Sequence, residues 1–153
     1  MQVVKIILYF ILTQVLIAGR LEVNADLIEA KGKEIHFIGN AKVKMDDRWL
    51  NAHRVNVYLD ENNETKMYES EGFVKFLFKD KKHYFKGRAN EVIYDMSSYQ
   101  YILRGKALIE DNDFLIKKNI SGDEILINLF TGRVKVDGAP LSTNIIIKLH
   151  NFG

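Results

Sequence analysis

The residue types that most often catalyse reactions or bind metals are few and scattered in this chain of 153 residues. It has no cysteine, which excludes disulfide bonds, thiolate zinc sites and a cysteine nucleophile. The histidines have neither helical metal-ligand spacing nor an acidic cluster beside them; they are His36, His53, His83 and His150. There is no Gly-x-Ser-x-Gly motif and no glycine-rich phosphate loop. We therefore predict a protein that is not an enzyme and that needs no metal or other cofactor.

The remaining side chains of chemical interest have simpler structural interpretations. Aromatic rings that stack on sugars are present, but the same residues favour the packed faces of strands; they are Tyr84, Tyr94, Tyr99 and Tyr101. The net charge is only +2, so no strong attraction to nucleic acid is expected. A hydrophobic fraction of 47% with 27% charged residues is typical of an ordered globular protein.

Four glycines indicate an internal repeat. Gly39, Gly72, Gly105 and Gly138 follow one another at intervals of 33 residues. A second element recurs between them, and its copies are Ala52–Tyr58, Ala89–Asp95 and Gly122–Ile127. The order of glycine-containing strand, turn, second strand and turn then starts again, which predicts a stack of β-hairpins.

After residue 20, apolar and polar residues alternate with the period of two that marks half-buried strands. The sequence divides into roughly nine long antiparallel strands, so we predict an all-β protein. The alternation changes phase near His53, as a β-bulge would produce. A glycine inside a strand marks a sharp bend or a close backbone approach. Repeated bends would fold each long strand across both walls of an elongated two-walled roll, rather than close a barrel.

Stacked repeats contact mainly their neighbours, so the two ends of such a roll have open strand edges. We expect these edges at Leu21–Leu27 and at Val134–Leu149. The residues expected to meet partners there by β-augmentation are Leu21, Val23, Val134 and Val136.

The N-terminal segment has the pattern of an export signal. Lys5 precedes an apolar run from Ile6 to Ala18, which is too short for a membrane-spanning helix of about 20 residues. We predict that residues 1–18 are a signal peptide and that residues 19–153 form the exported β-domain. The alternative is an uncleaved membrane anchor. Both place the rest of the chain outside the cytoplasm.

Five motifs in a fixed order resemble the OstA-like family of lipopolysaccharide-transport proteins. They are Phe37-Ile38-Gly39-Asn40-Ala41-Lys42-Val43, Leu50-Asn51-Ala52-His53-Arg54-Val55, Gly87-Arg88-Ala89 with Tyr94-Asp95, Leu103-Arg104-Gly105-Lys106-Ala107 and Ser121-Gly122-Asp123-Glu124-Ile125. The resemblance covers roughly Leu21 to Gly138, which is most of the mature chain. Two features depart from the family pattern. His53 stands where the family often has aspartate, and the asparagine of the Gly-Asn pair is present only at Asn40.

The resemblance implies a β-jellyroll, often V-shaped in section, whose apolar interior holds the acyl chains of lipopolysaccharide. It implies a periplasmic protein that moves lipopolysaccharide from the inner to the outer membrane. The implied partners are an LptC-like roll at the inner membrane and an LptD-like roll at the outer membrane, with head-to-tail self-association of the chain itself. The alternation of the strands identifies the interior residues that would shelter these chains, at about 0.8 kcal/mol per buried CH₂. They are Ile35, Phe37, Val43, Val55, Val57, Val74, Phe76, Tyr94, Tyr101, Leu103, Ile109, Ile125 and Ile127.

Each of these assignments has an alternative. Inward apolar residues are also the ordinary core of a β-sandwich. Several lysines would either meet lipid phosphates or protect strand edges as solvated charges; they are Lys42, Lys44, Lys79, Lys81, Lys82, Lys117 and Lys118. Two other functions stay open: a membrane-anchored LptC-like component of the same bridge, and a structural envelope protein that stacks by strand pairing and binds no lipid.

Overall fold

The structure, a computed structural model, describes residues 21–45, 47–79, 84–111, 118–128, 130–139 and 142–148. The predicted signal peptide, residues 1–18, lies outside the described residues. In the described ranges, no helix is long and apolar enough to span a membrane.

The described chain is almost entirely β-strand, in one sheet of ten strands. The strands are β1 Leu21–Asn24, β2 Leu27–Lys31, β3 Glu34–Met45, β4 Arg48–Leu59, β5 Thr65–Lys79, β6 Tyr84–Asp95, β7 Gln100–Asp111, β8 Lys118–Asn128, β9 Arg133–Ala139 and β10 Ser142–Lys148. Both β1 and β2 pair with β3, and from β3 to β10 each strand pairs antiparallel with the next. The predicted fold, an open all-β roll of successive antiparallel hairpins, is confirmed.

The repeated glycines bend the long strands. Gly39, Gly72 and Gly105 have positive φ angles, as do the residues that follow them, Asn40, Phe73 and Lys106. The strand register shifts at each of these pairs. On β4 the shift falls between Asn51 and Arg54, which matches the predicted change of phase near His53. The bend therefore crosses the sheet as a continuous line.

Gly105 shows why glycine is required at the bend. Its φ of +77° lies in the left-handed region that residues with a Cβ rarely adopt. A Cβ at this position would also lie only 2.5 Å from Asn90 Nδ2 on the neighbouring strand. Both predicted reasons for a glycine inside a strand, a sharp bend and a close approach, therefore hold at the same residue.

The bend divides the sheet into two walls. The first wall comprises residues 27–38, 54–59, 65–71, 91–95, 100–104, 124–128 and 133–137. The second comprises residues 21–24, 41–45, 48–52, 74–79, 84–89, 107–111 and 118–122. Leu103 on the first wall and Val74 on the second are both fully buried, in one continuous core. A single sheet buries one whole face only by folding over onto itself, so the inner faces of the walls pack together.

Side-chain size along the walls suits a section that widens away from the bend. The buried residues of the second wall nearest the bend are mostly small; they are Ala41, Ala52, Val74, Ala89 and Ala107. Larger rings stand farther from it, at Phe76, Phe78 and Phe85 on this wall and at Tyr68 on the other. The second wall thus has small side chains next to the bend and large rings near the strand ends. We call the region at these strand ends the mouth.

The two ends of the sheet are edges of different construction. β1, which contains Leu21 and Val23, and β2 are edge strands that pair only with β3. At the other end the edge strand is β10. The predicted edge position of Val134 and Val136 needs correction, because their strand β9 pairs with β8 on one side and β10 on the other. Both valines are buried core residues.

Candidate functional site

The interior of the roll is lined by apolar rows that run across the strands. In one row of the first wall, residues on successive strands stand directly opposite one another; they are Phe37, Val55, Ser70, Val92, Leu103, Ile125 and Val136. The second wall carries a similar row made of Val43, Leu50, Phe76, Gly87, Ile109 and Ile120. Apart from the buried Ser70, these rows are apolar. Because they cross every long strand, the apolar surface extends along most of the roll.

A ladder of tyrosines lies on the first wall at the mouth. Tyr68, Tyr94 and Tyr101 occupy directly opposed positions on β5, β6 and β7. The rings of Tyr94 and Tyr101 stack with centroids 4.3 Å apart, and those of Tyr68 and Tyr94 are 6.3 Å apart with nearly parallel planes. All three are partly exposed. The ladder therefore presents the edges of stacked rings where the interior opens.

The second wall has an aromatic cluster at the mouth with a cation beside it. The rings of Phe78 and Phe85 stack at 4.9 Å, and Phe76 packs edge-on against Phe85. The guanidinium of Arg48 lies 4.6 Å from the centre of the Phe78 ring, and its Nε donates a hydrogen bond to the backbone oxygen of Lys79. A cation over an aromatic face is attracted by the ring quadrupole, so this arrangement fixes Arg48 at the mouth.

The electrostatics of the tyrosines link the two walls. Burial raises the pKa of Tyr101 well above its usual range, and the nearby Tyr94 raises the pKa further, whereas Arg48 lowers it. Burial also raises the pKa of Tyr68 and of Tyr94. Because Arg48 belongs to the second wall and Tyr101 to the first, their interaction is one that crosses the mouth. The three hydroxyl groups stay neutral at physiological pH and are available as hydrogen-bond donors.

The structure brings the predicted interior residues together on the inner faces, but at two depths. Those that are buried are Ile35, Phe37, Val55, Val57, Val74, Phe76, Leu103, Ile109, Ile125 and Ile127. Val43, Tyr94 and Tyr101 are partly exposed and pack near the mouth. Only the second group is open to a ligand while the walls are closed, so access to the first requires the walls to separate.

Sequence reasoning missed several residues of this interior, chiefly Tyr68, Phe85, Val92 and Arg48. A signal for Tyr68 was present. The Gly72-Phe73 pair adds two residues to β5. Because strand alternation has a period of two, Tyr68 and Val74 still point to the same side of the sheet. No local pattern indicated Arg48, since its position depends on Phe78 in the next strand.

Three of the seven lysines expected to meet phosphates have described side chains. Lys42, Lys44 and Lys79 are exposed on strands of the second wall. Lys81, Lys82 and Lys117 lie outside the described residues, and the side chain of Lys118 is likewise not described. In the described ranges, no group of three or more histidine, aspartate or glutamate residues is arranged to hold a metal ion.

Comparison with known proteins finds a matching family and solved structures of similar fold. The model of the family described as LptA/(LptD N-terminal domain) LPS transport protein matches residues 22–133. The crystal structure of LptH, the LptA-homologous periplasmic component of the lipopolysaccharide transport device from Pseudomonas aeruginosa, superposes with a TM-score of 0.65 at 17% identity. The match covers 84% of this chain and 94% of the LptH chain. No curated protein matches the chain.

Proposed function

The chain belongs to the LptA/LptD N-terminal domain family of lipopolysaccharide-transport proteins, and on that premise we propose that it is a periplasmic carrier of lipopolysaccharide. Its roll takes up the acyl chains between the two walls and forms one segment of a bridge from the inner to the outer membrane. Residues 1–18 direct its export, and residues 19–153 form the carrier. LptC-like and LptD-like rolls, and further copies of this chain, are its proposed partners at the sheet edges.

The observation that carries this proposal is the continuous apolar interior with an aromatic mouth. Apolar rows cross all the long strands of both walls, and rings from both walls are partly exposed where the walls end. An acyl chain entering here would exchange water for Phe78 and the tyrosine ladder before it reached the deeper residues. Its polar head would remain near Arg48 and the hydroxyl groups of Tyr94 and Tyr101.

Entry into the deeper interior requires the walls to move apart. Leu103, Ile125 and Val74 have no exposed surface in the closed roll. The walls are joined at the line of bends, where the second wall contributes small side chains such as Ala41 and Ala107 and the first wall contributes Phe37 and Leu103. Each buried CH₂ of an acyl chain contributes about 0.8 kcal/mol, which offsets the packing energy that the two walls give up when they separate.

One observation favours a second candidate function. The same packed interior is what a structural envelope protein without a lipid ligand would have, because its core residues already satisfy one another. In that case the rolls would stack by strand pairing alone, and the walls would stay closed.

Photo-crosslinking in intact cells separates these two functions. A photoreactive residue is placed at Tyr101, Phe78 or Phe76, and at outward-facing Lys106 or Lys135 as controls. The carrier function predicts crosslinks to lipopolysaccharide from the first three positions and none from the controls. If none of the three positions forms a crosslink to lipopolysaccharide in a folded and exported protein, the carrier function would be refuted and the structural function favoured. Mass spectrometry of the same protein shows whether residues 1–18 are retained, as an LptC-like anchor would require.

A further inference from the structure

The outer face of the second wall carries an unusual concentration of positive charge. Two neighbouring rows cross its strands. The first row contains Lys44, Trp49, Leu77, Lys86 and Glu110. The second row contains Lys42, Asn51, Lys75, Arg88 and Leu108. We call these two rows the basic face. The basic face contains one carboxylate, Glu110, which stands opposite Lys86. On the adjacent strand β1, Glu22 stands opposite Lys44.

The outer face of the first wall is built differently. There Arg54 stands opposite Glu71, with Nε and Oε1 3.8 Å apart, and Arg104 stands opposite Glu124, with Nε and Oε2 2.8 Å apart. Opposite charges in directly facing positions stabilise a sheet. The same sheet thus pairs its charges on one wall and leaves them unbalanced on the other.

Lys75 and Arg88 show the imbalance most clearly. They occupy directly opposed positions on β5 and β6, where like charges destabilise the pairing. Both are exposed, and within the described part of the chain neither forms an ion pair with a carboxylate. An anion bound between them would remove the repulsion, so the pair is suited to an anionic partner.

Apolar groups stand in the middle of these charges. Trp49, Leu77 and Leu108 are half-buried on this outer face. A shallow cleft of about 130 Å³ lies beside Trp49 and Leu108, and it is bordered by three cations, Lys75, Lys86 and Arg88, and by the carboxylate of Glu110. An indole next to cations is the combination found where proteins meet the boundary between lipid headgroups and water.

We propose that the basic face docks on the surface of a bilayer that contains anionic phospholipids. Its cations are spread from β3 to β6, and the whole face reaches β7, which at the spacing of neighbouring strands is about 19 Å. Such an array fits an extended anionic surface better than one small anion. Trp49 and Leu108 enter the headgroup layer, and the long lysine and arginine side chains reach the phosphates around them.

Docking by this face is independent of what the interior binds. It would hold the second wall flat on the membrane and leave the edge strands β1, β2 and β10 free at the two ends of the roll. A failure of this inference would leave the proposed carrier function untouched, since the outer and inner faces are tested by different residues.

The test uses the fluorescence of Trp49, which is the only tryptophan of the chain. The full chain is mixed with vesicles made of equal parts phosphatidylcholine and phosphatidylglycerol, and with vesicles of phosphatidylcholine alone. We expect a blue shift of the Trp49 emission and quenching by brominated lipid with the anionic vesicles only, both weakened by added salt. The variant Lys75→Glu/Lys86→Glu/Arg88→Glu should lower the affinity by about 100-fold or more, from the contribution of each basic residue near an anionic surface.

The matched control is Lys31→Glu/Lys66→Glu/Arg133→Glu, which makes the same change of net charge at exposed positions of the first wall. It should bind almost as tightly as the unmodified chain, and the N-terminal apolar segment is the same in all three proteins. Equal losses in both variants, or vesicle binding without quenching of Trp49, would overturn the proposal. Absence of vesicle binding would overturn it too. If the unmodified chain then self-associates in a salt-sensitive way, and the first variant does not, the basic face would be assigned to contact with a second copy of the chain.

Discussion

Tyr94 and Tyr101 stack across β6 and β7 with their ring centroids 4.3 Å apart and their planes 19° apart. Tyr68 continues the ladder on β5, and the positive charge of Arg48 on the other wall lowers the pKa of Tyr101. The ladder thus joins three strands of one wall at the point where the interior opens. Its state of ionisation connects the stability of the roll to pH.

Stability should fall at alkaline pH because of this ladder. Burial raises the folded-state pKa of Tyr101 above the unfolded value of about 10, so the unfolded chain loses its proton first. The stabilising contribution is fully present below about pH 10 and decreases as pH rises further, by up to about 1.4 kcal/mol per pH unit for one group. Tyr101→Phe should therefore differ little from the unmodified protein at pH 8 and be the more stable one above pH 10. Urea unfolding of both proteins at pH 8 and above pH 10 measures this difference. The prediction would be contradicted if the difference in free energy of unfolding between the two proteins were the same at both pH values.

The bend should tolerate no side chain at Gly105. Gly105→Ala combines a positive φ with a close contact to Asn90, and we expect a loss of about 3 kcal/mol or more in the free energy of unfolding. Gly32→Ala is the matched control, since Gly32 has a φ of +59° and open space around it. It should cost only about 1–2 kcal/mol. Similar losses for the two variants, measured by urea unfolding, would show that the close approach to Asn90 has no energetic weight.

Phe73 should be a residue at which the protein can be stabilised. It follows Gly72 with a φ of +51°, and 87% of its surface is exposed, so it has backbone strain and little packing to offset it. Asparagine, which stands at the equivalent position 40, tolerates this conformation better. We expect Phe73→Asn to raise the free energy of unfolding by about 0.5–1 kcal/mol. Phe73→Ala keeps the strained backbone and removes the ring, and it should be no more stable than the unmodified protein. A loss of stability in Phe73→Asn would indicate that the ring packs against a partner.

The β1 edge should support association between rolls. Val23→Pro removes a backbone donor from this edge strand, whereas Val23→Ala shortens the same side chain and keeps the donor. If rolls join by strand addition at β1, analytical ultracentrifugation should show weaker self-association for Val23→Pro and almost unchanged association for Val23→Ala. Equal association in all three proteins would exclude β1 as the contact.

Much of the fold could be predicted because long amphipathic strands have a local sequence pattern, the alternation of apolar and polar residues. Alternation with a period of two identifies Leu103 and Ile125 as inward residues wherever the strand is regular, and the recurring glycines identify where it bends. The prediction was least accurate where pairing, rather than pattern, decides a residue's surroundings. Val134 and Val136 alternate like residues of an edge strand, yet β10 covers their strand on its outer side. Arg48 has no pattern at all, and only Phe78 explains its position.

Most of the strands, the line of bends and the majority of the inward-facing side chains follow from the sequence pattern, because each depends on neighbours a few residues apart. How tightly the walls close is set only in the folded sheet, since it depends on side chains from both walls filling one space. The same holds for the charges. Lys75 and Arg88 are separated by a turn in the chain, and the register of β5 and β6 alone places them face to face. Register is fixed by the burial of a whole face at once. For that reason the contrast between one outer wall with facing opposite charges and one with an excess of cations is visible only in the folded sheet.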